Sequence, residues 1–90
     1  MDLQFKKEGT VWVAEFEATS DFNLHLERVD NGSVVVAQSG IQGGEYDVAF
    51  RKNMYEVKNF DYDFGALVYP KYIKVTSGSE VIKGVVNFNE

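Results

Sequence analysis

Apolar and polar residues alternate in short runs along the whole chain, and Gly, Asn, Asp or Ser interrupts them about every ten residues. A period of two places alternate side chains on opposite faces of an extended strand, so the pattern predicts an all-β domain. The first run, Leu3 to Lys7, turns at Glu8-Gly9 into Val11 to Ala18, where Trp12, Ala14, Phe16 and Ala18 share one face and Glu15 and Glu17 the other. That reads as a hairpin. Phe22, Leu24 and Leu26 form the cleanest inward row, against Asp21, Asn23, His25 and Glu27. The turn signal Asp30-Asn31-Gly32-Ser33 follows, because Asn and Gly tolerate positive φ, and a second hairpin is expected from about Phe22 to Ser39.

Residues 40–44 read as a flexible loop, after which Tyr46, Val48 and Phe50 alternate as far as the turn at Lys52-Asn53. The apolar phase slips between Val57 and Phe60, which predicts a bulge or bend at Lys58-Asn59. Phe60, Tyr62 and Phe64 alternate with Asp61 and Asp63. Ile73 and Val75 then lead to a turn at Ser77-Gly78-Ser79, and Glu80 to Phe88 forms the last run. About eight or nine short strands in one domain, residues 1–90, need two layers to bury their apolar faces. The expected architecture is a two-sheet antiparallel sandwich, immunoglobulin-like or jelly-roll-like. Its expected core is Phe5, Trp12, Phe16, Phe22, Leu24, Leu26, Val48, Phe50, Phe64, Ile73, Val75 and Phe88.

Composition narrows the chemistry. There is no cysteine, which excludes disulfides, thiolate metal sites and a cysteine nucleophile. Fourteen acidic against nine basic residues give a formal charge of −5. A phosphate backbone is repelled on average, so nucleic acid is not expected as a partner unless Lys52, Lys58, Lys71, Lys74 and Lys83 gather on one face. No apolar run reaches the length of a membrane span, and no signal segment opens the chain. The expectation is a soluble protein, cytoplasmic or virion-associated.

Candidate chemistry is sparse. Asp61 and Asp63 fall on one face of a strand, about 7 Å apart, a separation compatible with paired-carboxylate catalysis but more common in a solvated face. His25 is the only histidine; it stands on a polar face two residues from Glu27, and no G-x-S-x-G elbow supplies a nucleophile. Gly43-Gly44 is not followed by the lysine of a phosphate loop. No catalytic, cofactor or metal residue is therefore assigned. The surplus of valine is less expected. Val34, Val35 and Val36 are consecutive, and Val81 and Val85 lie in a run apolar on both faces, where the outer face of a two-layer domain is ordinarily polar. These five are the candidate partner interface. Tyr55, Tyr69 and Tyr72, with Asp61 and Asp63, are the candidate glycan contacts in an alternative reading.

The segment Asp21-Phe22-Asn23-Leu24-His25-Leu26-Glu27-Arg28 resembles segments of small all-β proteins of gut bacterial phages and prophages. So does the stretch from Asp61 to Val75, with Asp61-Tyr62-Asp63-Phe64-Gly65 and Tyr69-Pro70-Lys71-Tyr72. The resemblance implies a structural or assembly role in a virion and no catalytic residues. Lys71-Tyr72-Ile73-Lys74-Val75 is similar to the aromatic-aliphatic strand of discoidin-like carbohydrate-binding sandwiches, which implies glycan binding instead. The expected function is a non-catalytic interaction module, an accessory or structural subunit of a phage-like or other multi-chain assembly with protein partners, itself included. The alternative is a carbohydrate-binding module.

Overall fold

The computed structural model describes residues 1–29, 32–58, 60–63 and 70–88, with residues 61–63 described by their backbone alone. The strands are β1 (Lys6–Glu8), β2 (Val11–Ala18), β3 (Phe22–Arg28), β4 (Ser33–Ile41), β5 (Gly44–Arg51), β6 (Met54–Val57), β7 (Phe60–Asp63), β8 (Lys71–Ser77) and β9 (Glu80–Val86). They form a five-stranded sheet, β1-β2-β5-β6-β7, and a four-stranded sheet, β4-β3-β8-β9, and every pairing between named strands is antiparallel. The chain is therefore an all-β two-sheet sandwich. In the five-stranded sheet β5 lies beside β2 with β6 and β7 outside it, and in the four-stranded sheet β3 lies between β4 and β8.

One apolar cluster joins the sheets. Phe16, Val48, Phe50 and Val57 come from one layer, and Phe22, Leu24, Leu26, Ile73, Val75 and Ile82 from the other. Phe16 meets Phe22 edge-on across the layers, with centroids 5.7 Å apart. Eight residues of the expected core, Phe16, Phe22, Leu24, Leu26, Val48, Phe50, Ile73 and Val75, are buried. Phe5, Trp12 and Phe88 are only half-buried against the cluster. Trp12 pairs with Phe50 on one side and on the other with Lys7 of the short edge strand β1, whose ammonium lies over the indole. Phe64 lies outside the described residues.

A tyrosine ties the layers together. Tyr55 on β6 is fully buried, and its hydroxyl crosses to the opposite sheet, where it donates to the Glu27 carbonyl and accepts from the Tyr72 backbone N–H (2.8 Å). Glu27 and Tyr72 are register partners, so the hydroxyl sits at one rung of the β3–β8 ladder. Burial raises the phenol well above its ordinary pKa, because a phenolate is poorly solvated there.

Of the bulge or bend expected at Lys58-Asn59, the bend is what the structure has: Val57 and Phe60 are register partners of antiparallel β6 and β7, so the chain reverses between them. One local expectation is corrected. The segment after Ser39 is not a loop as far as Gly44, because β4 continues to Ile41, which is buried and pairs with Phe22. The pairing shifts between Phe22/Leu24, and Gly40 lies in the surplus there at φ 72°, a conformation that glycine adopts without a Cβ clash. Ahead of β1, Leu3 and Lys83 bond through their backbones along the outer edge of β9 (Leu3 N–H to Lys83 carbonyl, 2.8 Å).

Candidate interaction surface

The outer face of the four-stranded sheet is fixed by the inward rows. Because Leu24, Leu26, Ile73, Val75, Ile82 and Val86 point into the core, their neighbours point out and align in cross-strand rows. The first row runs Val34, Glu27, Tyr72, Val85, and the second Ala37, His25, Lys74, Lys83. The third joins Asn23, Thr76 and Val81. Val34, Val81 and Val85 keep 54%, 37% and 58% of their surface exposed. His25 bonds through Nε2 to Glu27 Oε2 at 2.9 Å and meets the Tyr72 ring edge-on, which fixes the polar centre of the face.

The sheet offers this face rather than its edges. Along β4 the register shifts between Leu26/Glu27, where Val34 pairs with Glu27, Val36 with Leu26, and Val35 is the surplus residue. The extra residue turns Val36 inward, so two of the five candidate interface valines are corrected. Val36 belongs to the core, and Val35 is half-buried against it. Val34, Val81 and Val85 remain at the surface. Bulges disrupt the ladder that an incoming strand needs, and the β9 edge is already bonded by the chain before β1.

Of the glycan candidates, the two whose side chains are described, Tyr55 and Tyr72, do not share this face. Tyr55 is corrected from a contact residue to a core residue, since it shares the phase of inward Val57 and spends its hydroxyl on the opposite sheet. Tyr72 is half-exposed on the outer face. The side chains of Asp61 and Asp63, and all of Tyr69, lie outside the described residues. Among the described residues no three His, Asp or Glu side chains group as metal ligands.

Lys71 is the residue that reading by charge alone misplaces. Named above among the lysines that would have to gather on one face to bind a phosphate backbone, it is fully buried, in phase with Ile73 and Val75 on β8. Its Nζ reaches the Met54 carbonyl at 3.3 Å and lies 4.7 Å from the Phe88 ring centroid. Burial lowers its pKa to about 8. Phase along the strand was the available signal.

Fold and surface together define a two-sheet β-sandwich with an apolar-and-basic outer face. Comparison with protein-family models, with curated proteins and with solved structures gives no significant match to this chain.

Proposed function

We propose that the chain is a non-catalytic interaction module, a small structural or accessory subunit of a multi-chain assembly such as a phage-like particle. It works by contact through the outer face of the four-stranded sheet. The observation that carries this reading is the first cross-strand row, where Val34 and Val85, each more than half exposed, flank Glu27 and Tyr72. Burying one valine contributes roughly 1.5 to 3 kcal/mol, so wet valines on a strand face favour association. Thr, Lys or Glu is the ordinary residue at such positions.

The test is a photo-crosslinking residue at position 85 of the chain expressed in its native cell. A discrete protein adduct, whether with another chain or a second copy, is expected, and it should be lost in a Val34→Lys background. The same probe at Lys52, in an exposed turn, is the control. No adduct from position 85, or equal adducts from both positions, refutes the reading.

A further inference from the structure

The two outer faces of the sandwich differ in charge, and each sets like charges directly opposite one another. On the five-stranded sheet, Glu15 pairs with Asp47 and Glu17 with Glu45. On the four-stranded sheet, Lys74 pairs with Lys83. Like charges in direct cross-strand register destabilise a sheet, so each set is relieved by a surface of the other sign. Other charges reduce the contrast without removing it. On the acidic face Glu56 is held by Arg51 at 3.0 Å, Lys6 stands beside Val13, and Lys58 reaches over to the Glu45 carbonyl at 3.2 Å. On the basic face Glu27 offsets one lysine and is held by His25 at 2.9 Å. The acidic face also has an apolar strip, since Val13 pairs with Ala49 and both are half-buried in a shallow groove.

Resting on the reading of the chain as a contact module, we propose that the partner is a second copy, stacked head to tail. The Lys74–Lys83 face of one molecule lies on the Glu15–Asp47 face of the next. Charge complementarity selects this arrangement over a front-to-front pair, because a twofold through the middle of the basic face brings two Lys74–Lys83 pairs together. Such a heterologous contact leaves a free face of each sign at the two ends of any stack, so it propagates into short open chains instead of stopping at two. Four strands about 4.8 Å apart and some seven residues long present roughly 450 Å² per face, near the low end for a specific contact. The association is therefore weak and carried largely by charge.

The experiment is sedimentation velocity of the purified chain from about 10 to 500 μM, at about 50 and 500 mM NaCl. The expected result is a distribution that grows past the dimer with concentration and weakens by about tenfold or more at high salt. The double variants Lys74→Glu/Lys83→Glu and Glu15→Lys/Asp47→Lys should each lose self-association while keeping the wild-type melting temperature. Mixing the two should restore association, because each retains one native face. Three results overturn the proposal: association that stops at a dimer and ignores Glu15→Lys/Asp47→Lys, association that salt does not weaken, or a strict monomer throughout. If the monomer coexists with a position-85 adduct to a different chain, the head-to-tail contact fails and the interaction module stands. A monomer without any adduct removes both.

Discussion

Replacing Tyr55 by Phe isolates a hydroxyl that joins the two sheets. The ring is retained, including its edge contact with Phe50 at 4.4 Å and its place under the Lys71 ammonium, so packing is unchanged. Only the bonds to the Glu27 carbonyl and the Tyr72 N–H are removed. A typical net hydrogen bond contributes about 1 kcal/mol, and a buried donor left unpaired costs about 1 to 3 kcal/mol. Because Glu27 and Tyr72 are register partners, the rung can close partly on itself, which holds the loss to about 1.5 to 3 kcal/mol. Total stability for this length is roughly 5 to 13 kcal/mol, so the change is a sizeable share of the whole. A loss of about 2 kcal/mol lowers the melting temperature by about 8 to 16 °C. Urea unfolding followed by Trp12 fluorescence and far-UV circular dichroism should show a lower midpoint with an unchanged slope. Tyr72→Phe, on the outer face, should stay within about 0.5 kcal/mol of wild type. If Tyr55→Phe also stays within about 0.5 kcal/mol, the bridging role assigned to its hydroxyl is wrong.

Four further outcomes follow from burial. Lys71 has its pKa lowered to about 8 when folded, against an ordinary value near 10.5, so the unfolded chain binds the extra proton between those values and stability rises with pH there. Wild type should gain about 2 kcal/mol from pH 8 to pH 10 relative to Lys71→Met, and parallel pH profiles for the two proteins would contradict the buried-lysine assignment. Tyr55 acts in the opposite sense: its folded pKa is raised, so its contribution is complete below about pH 10 and is lost as pH climbs further, a limb that should be missing from Tyr55→Phe melting curves. Gly84→Ala places a Cβ 2.7 Å from the Phe5 ring and 3.0 Å from Leu3 Cβ. It should destabilise by about 1 to 3 kcal/mol and expose the first residues to protease, with partial recovery in Phe5→Leu; an unaltered cleavage pattern would show that the contact is unimportant. Finally, Val36→Lys should cost more than about 3 kcal/mol, whereas Val85→Lys should fold normally and lose association, so equal denaturation midpoints for the two would contradict the β4 bulge.

The alternation of side chains by itself determined the strands, most hairpins and the inward rows, because a period of two needs only local sequence to assign a face. Phe22, Leu24 and Leu26 are inward for that reason, and His25 beside Glu27 is outward for the same one. Lys71 was equally legible from its phase with Ile73 and Val75, but a charge read in isolation argues for the surface, and only the packed neighbours show that it is covered. Three consecutive valines carry no phase at all. The β4 bulge, set by pairing with β3, decided that Val36 enters the core and Val34 stays outside. Tyr55 was undetermined because a tyrosine suits either environment until a partner for its hydroxyl is known, and that partner lies on a strand 28 residues earlier in the chain. Which faces carry which charge was likewise a tertiary outcome: Glu15 meets Asp47, and Lys74 meets Lys83, only once strands distant or adjacent in sequence are brought into register.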